Sequence, residues 1–258
     1  MRAFLIAAVA LLAHGGNPAA ALERRELRVG VETASPPFSS LDEYGGFRGF
    51  NVDISRALCE QMQVSCTLVG TNIGDAIQQL QNRVVDLVVA SMTITADRKQ
   101  LVDFTEPYFR SGNRAIGPRG TPADLSPQAL RGKTIGVHRG TTHDGFATAT
   151  YGGLATIRRY TDRDELLIDL ALGRLDLVIS DGLATRAAFL DTELGAGFEF
   201  VGPELAAPEF FGEGEAIAMR KGDEELRQAL NGALKETRAN GTSATISREY
   251  FGYDVSSP

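Results

Sequence analysis

Two stretches of this chain echo each other, and they constrain the fold more than any other feature. Val85-Asp86-Leu87-Val88-Val89-Ala90-Ser91 and Leu175-Asp176-Leu177-Val178-Ile179-Ser180-Asp181 are short apolar runs with an Asp in second place and a polar end. A continuous apolar run of that length marks a strand covered on both faces. Each run closes a series of alternating elements. In the first series Leu27, Val29 and Val31 alternate along a strand, Glu26–Glu32, and Ile54, Ala57, Leu58 and Met62 fall at helical spacing over about 51–63. A strand at 67–69, a short helix at about 74–81 and the strand at 84–90 follow. In the second series 133–137 is a strand, about 144–150 a helix, 157–160 a strand and 164–172 a helix with Leu166, Leu167 and Leu170 facing inward. A β-α-β-α-β order predicts a parallel sheet covered by helices. The match between the series is coarse, so it describes architecture rather than a true repeat.

The remaining segments tie the two units together. Phe104 to Phe109 reads as an extended exit from the first unit, and Ser111-Gly112-Asn113 as a hinge. Residues 203–214 are rich in Pro and Gly; then come a strand, Glu215–Arg220, an amphipathic helix at 224–238 and a last helical turn at 247–251. The second unit cannot easily own so long a tail, and its return to the first unit predicts a second crossing. The expected division is 22–111 with 209–258 in one lobe and 112–208 in the other.

Residues 1–21 read as a targeting segment. Arg2 gives a positive start, Phe4 to Ala13 is almost wholly apolar, and Ala19-Ala20-Ala21 offers a cleavage site before Leu22. The apolar run is too short for a stable membrane anchor, and no later stretch is long enough to span a bilayer. The mature chain is expected to be exported and soluble. A net charge of −7 with no basic run argues against nucleic acid as a partner. In an oxidising compartment Cys59 and Cys66, the only two cysteines, are expected to pair, with two buried free thiols as the alternative.

Open parallel sheets bind ligands beyond the carboxyl ends of their strands. Four such ends carry chemistry: Glu32, Ala90 to Arg98, His138 to His143, and Ser180-Asp181. Thr95 is placed to cap a helix from Ala96, beside the hydroxyls of Ser91 and Thr93, and Arg98 can grip a carboxylate with two N–H groups. An Arg and an Asp on opposing units could clamp an amino acid by its carboxylate and ammonium. The plainer readings are a solvated Arg98, an Asp181 that only caps the next helix, and a solvated Glu32. Outside the targeting segment only His138 and His143 remain, so no metal site is expected. No nucleophile elbow and no phosphate-binding Gly loop is present, which leaves no catalytic triad and no cofactor.

Pro37-Phe38, Gly49-Phe50-Asn51-Val52-Asp53, Ser91-Met92-Thr93-Ile94-Thr95 with Arg98, and Phe104-Thr105-Glu106-Pro107-Tyr108 together resemble the periplasmic solute-binding proteins of polar amino acid ABC transporters. Gly140-Thr141-Thr142, Gly173-Arg174-Leu175-Asp176 and Tyr250-Phe251 continue the likeness over nearly all of the mature chain. The similarity is to the lysine/arginine/ornithine-, histidine- and opine-binding branch. It implies an α/β fold of two lobes, each a mostly parallel sheet flanked by helices, joined by a two-strand hinge. It implies that Arg98 holds the ligand carboxylate, aided by Thr93 and the Thr141 region, and that Asp181 holds the ammonium with Ser91 assisting. Glu32, Ile73, Ala90, His138 and His143 fall where that branch lines the ligand, and Cys59–Cys66 resembles its short disulfide. Ser35 and Ile73 stand where the branch often places aromatic rings, which disfavours a flat guanidinium or imidazole. A desolvated Glu32 needs a cation, and with Arg98 occupied by the ligand carboxylate a cationic ligand side chain is expected. The implied partners are an amino acid and an ABC transporter permease, the implied state is a periplasmic monomer, and no enzyme activity is expected. The alternatives are a cyclohexadienyl dehydratase-like enzyme and a sensor module. Ala184 stands where the dehydratases are understood to carry a proton-donating Glu.

Overall fold

In the computed structural model residues 26–256 are described; the targeting segment lies outside them. The chain opens with β1 (Glu26–Glu32), followed by a small three-stranded sheet of β2 (Ala34–Ser35), β3 (Ser39–Leu41) and β4 (Phe47–Arg48). A helix, Phe50–Met62, leads to β5 (Ser65–Thr71); a helix, Ala76–Gln81, leads to β6 (Leu87–Thr93); a helix, Ala96–Leu101, leads to β7 (Val102–Phe104). The second unit contains β8 (Asn113–Pro118), β9 (Thr134–His138), β10 (Thr156–Tyr160), β11 (Leu177–Asp181) and β12 (Phe198–Val201). Its helices are Thr142–Tyr151, Arg163–Ala171 and Gly182–Thr185, the last running into a π-helical turn at Arg186–Leu190. The chain then returns as β13 (Glu215–Arg220) and ends in the helices Glu224–Ala239 and Thr242–Phe251.

The two sheets have one plan, ordered β5-β1-β6-β13-β7 and β10-β9-β11-β8-β12. In each, the unit's first parallel strand lies between its second and third, and two antiparallel strands complete the sheet. Each sheet is therefore mixed. The antiparallel strand beside β6 comes from the far end of the chain, which is the return crossing foreseen in the sequence.

The apolar run of β6 is buried on both faces, as its composition predicts. Leu87 and Val89 pack with Leu27, Val29 and the helices Phe50–Met62 and Glu224–Ala239. Val88, Ala90 and Met92 pack on the opposite face with Ala76, Leu80 and Ala216. The strand lies three residues later than the apolar run suggests. Val84 is exposed, whereas Asp86 is fixed at the strand's entrance by Arg28 and Arg220, each with a guanidinium nitrogen at 3.0 Å. Burial pushes the Asp86 carboxyl up, but these hydrogen bonds outweigh it and hold its pKa at about 2. At its other end β6 continues through Thr93 because Glu215 pairs with Thr93.

Three further differences have physical causes. β8 begins with Asn113-Arg114 and ends in Gly117-Pro118, and β12 is four residues long after Gly197, so their strand character comes from pairing with each other and, for β8, with β11. Thr242–Phe251 is a full helix rather than a turn, docked on the helices Phe50–Met62 and Glu224–Ala239. Phe210 and Phe211, expected in the first lobe, pack on Phe146 with ring centroids 5.8 and 5.1 Å away. The return crossing thus falls at Gly212 to Gly214. Cys59 and Cys66 form a disulfide between the helix Phe50–Met62 and β5.

Candidate ligand-binding site

The carboxyl ends of β1, β6, β9 and β11 open into one cleft between the two sheets. All ten residues singled out from the sequence line it: Glu32, Ile73, Ala90, Ser91, Thr93 and Arg98 on one side, and His138, Thr141, His143 and Asp181 on the other. Four more residues complete the wall: Phe38 and Thr142, which stand in the motifs but were not singled out as ligand-binding, and Arg163 and Glu215, which sequence reasoning passed over.

Arg98 is placed by the short helix it begins. Thr95 caps that helix, its hydroxyl accepting from the Arg98 N–H at 3.3 Å. The guanidinium donates to the Thr93 carbonyl at 3.0 Å and, across the cleft, to the Gly140 carbonyl at 3.3 Å. The residue is half-buried, but its charged end lies inside the protein, and burial pulls its pKa down to about 10. It stays charged at neutral pH with further N–H groups available to an anion. This arrangement is at odds with the solvated-Arg reading.

Ser91 has a left-handed backbone, φ 50°, an unfavourable conformation for a residue with a side chain. A buried network keeps it there. The Tyr108 hydroxyl accepts from the Ser91 N–H at 3.0 Å and donates to Asn51 Oδ1 at 2.7 Å, and Asn51 Nδ2 donates to the Ser91 hydroxyl at 3.1 Å. The motif residues Asn51 and Tyr108 therefore act on the cleft by orienting Ser91.

On the opposite wall Asp181 does cap the helix Gly182–Thr185, accepting from the Ala184 N–H at 2.7 Å, and it also faces the cleft. The helix-cap reading of Asp181 is met. Burial raises its pKa, opposed by the Ala184 N–H and the Ser111 hydroxyl. Thr141 caps the helix Thr142–Tyr151 and donates to the His138 carbonyl at 2.7 Å, so its hydroxyl is largely committed to the fold. His138 Nε2 lies 3.2 Å from the Thr161 carbonyl and His143 Nε2 lies 2.8 Å from Asn113 Oδ1. Burial, reinforced by Arg163, pulls the two pKa values down to about 4 and about 3. Both rings are neutral at physiological pH.

Arg163 corrects the expectation that Arg98 is the main protein cation available to Glu32. It is 8% exposed, and its Nε and Nη1 are buried without acceptors. Burial raises the Glu32 pKa, and Arg163 is the chief opposing influence. The signal in the sequence was its position. Arg163 is the first residue of its helix, where a cation opposes the helix dipole. Glu215 had a comparable signal, a charged residue opening a strand whose next four residues are apolar. Phe38 puts one aromatic ring on the wall, apart from the Ser35 and Ile73 positions. Ser35 is buried and is absent from the wall.

Arg98, the held Ser91 hydroxyl and the carboxyl groups of Glu32, Asp181 and Glu215 thus share one cleft. The chain is similar to known proteins over most of its length. The L-arginine-binding protein of Pseudomonas aeruginosa is 42% identical over 233 residues, covering 90% of each chain. The lysine/arginine/ornithine-binding periplasmic protein of Escherichia coli K12 is 34% identical over 230 residues, covering 89% of this chain and 88% of the relative. A solved structure described as an ancestral arginine-binding protein bound to arginine superposes with a TM-score of 0.80 at 33% identity, covering 89% of this chain and all of the other. The profile of the bacterial extracellular solute-binding proteins, family 3, matches residues 27–253, and the chain belongs to that family.

Proposed function

We propose that this protein binds an amino acid with a cationic side chain between its two lobes, in the periplasm, and delivers it to the permease of an ABC transporter. Glu32 carries this reading. It is buried on the cleft wall, where an ionised carboxylate is costly without a facing cation, and both cleft histidines are neutral. Arg163 offsets part of that cost, and a cationic ligand side chain offsets the rest. The names of the arginine- and lysine/arginine/ornithine-binding relatives point the same way. Arg98 takes the ligand carboxylate, Asp181 with Ser91 the ammonium, and Glu32 the side chain, with Phe38 as an aromatic face.

The lobes in this reading are 22–111 with the chain from Gly212 onward, and 112–211. The protein acts as an exported monomer, released from its targeting segment near Ala21. A binding role without catalysis is supported by Ala184, a fully buried apolar residue where an acid would be required. A thermal-shift screen against the amino acids tests the reading. L-arginine, L-lysine, L-ornithine or L-histidine should raise the melting temperature most. Preferential binding of glutamate or aspartate, unchanged by Glu32→Gln, would contradict it.

A further inference from the structure

Glu215 is the least explained charge in the cleft. It begins β13 opposite Thr93 and is 7% exposed, and its Oε2 is buried with no hydrogen-bond partner. Asp181 lines the same cleft from the other sheet. The two carboxylates differ in what holds them. Asp181 accepts from the Ala184 N–H, whereas one oxygen of Glu215 is open. An open, buried carboxylate oxygen is costly unless a donor reaches it.

The Ser111 N–H and the residue's own N–H act on the Glu215 carboxyl, but its Oε2 has no donor. Arg98 donates to the Thr93 and Gly140 carbonyls. Arg163 faces the cleft from the second lobe, and its Nε and Nη1 reach no acceptor. Glu32 lines the first-lobe side of the cleft, and His138 and His143 the opposite side. On the hinge side Arg110 and Glu204 flank Glu215 in a separate groove, and Arg110 acts on it only as the weakest of several influences. We propose that Glu215 is a second acceptor for the ligand's ammonium group, beside Asp181, and that ligand binding expels a proton from this carboxylate pair. The inference rests on the amino acid-binding reading above and extends it to a residue outside the family motifs.

The proton balance follows from the placement. Burial, with the charge of Asp181 beside it, keeps the Glu215 carboxyl protonated at a pH where an ordinary carboxyl is ionised. An arriving ammonium favours the charged form, so the carboxyl O–H bond breaks and the proton passes to bulk buffer. The cleft gains the negative charge that a cationic ligand needs only as the ligand arrives. His138 and His143, with pKa values of about 4 and about 3, contribute no proton near neutrality.

Calorimetric titration of the folded wild-type protein with L-arginine, in phosphate and in Tris at the same pH, measures the release. The observed heats should differ between buffers by the ionisation heat of a fraction of a proton up to one per site. The affinity should rise with pH by up to about tenfold per unit, the slope for release of one proton. Glu215→Gln should show no release and a flat pH profile, and Glu215→Thr serves as a second variant with the same expectation. Equal proton release in wild type and variants would assign the proton to Glu32 or Asp181 and overturn the inference. Binding of L-arginine without any release would overturn it while leaving the amino acid-binding reading intact. If L-arginine does not bind, L-lysine, L-histidine and L-glutamine, which carry the same ammonium, replace it. Failure of all four would overturn both readings.

Discussion

Arg98 donates to two backbone carbonyls that belong to different lobes, Thr93 and Gly140. It therefore has two candidate roles, ligand clamp and lobe tie, and a substitution separates them. Arg98→Ala should reduce L-arginine affinity by about 2–5 kcal/mol, the usual result of removing one partner from a desolvated charge pair. The fold should survive, because the tie uses a single carbonyl of the second lobe. Calorimetry returning near-wild-type affinity would leave Arg98 as a tie alone. At this scale the sequence was informative where a residue type stood at a strand end. Glu32, Arg98, His138 and Asp181 were named on that ground and meet in one cleft. Arg163 and Glu215 were not, because each looks locally like a surface charge next to an element boundary. Their burial shows only in the folded chain, where Glu215 pairs with Thr93 and bridges Phe109.

Helix Phe50–Met62 and β5 are joined by Cys59–Cys66 across a tight loop containing Gln63, whose φ of 56° closes the helix. The helix buries Phe50, Val52, Ile54 and Leu58 in the core of the first sheet, away from the cleft. Replacing both cysteines with Ser should lower stability by about 2–3 kcal/mol, the chain-entropy value for a loop of this length. Ligand affinity should be unchanged. Denaturant unfolding and calorimetry on the double variant check both halves, and a large loss of affinity would mean that the disulfide positions the cleft. Elements with a strong period, such as Glu224–Ala239 with Leu226, Leu230, Ala233 and Leu234 buried, were legible in the sequence almost to the residue. β8 and β12 were not, since a short strand with two or three apolar residues takes its identity from its neighbours.

Across the whole molecule, the lobes meet through few polar contacts. Besides Arg98 to Gly140, Asn72 Nδ2 donates to the Thr161 carbonyl at 3.3 Å. The crossings between the lobes run side by side, with Phe109 bridged to Glu215 and the Gly182 N–H donating to the Gly112 carbonyl at 2.7 Å. Two connections running side by side suit a hinge that opens for a ligand and closes over it. X-ray scattering with and without saturating L-arginine should show a smaller radius of gyration for the complex. An identical profile at saturation would make the lobes a rigid pair.

The sequence by itself determined the two α/β units, the buried central strands and the strand ends where chemistry would gather. These follow from local periodicity and from the unpartnered N–H groups at helix starts, both of which are properties of short segments. It also pointed to a return to the first unit, since the second could not easily own so long a tail. Tertiary structure alone decided the sheet order, the left-handed turn at Ser91 held by Asn51 and Tyr108, and the neutrality of the two histidines. It also decided which charges are stranded. Desolvation depends on what the rest of the chain lays over a residue, and Arg163 and Glu215 are covered by segments far from them in sequence.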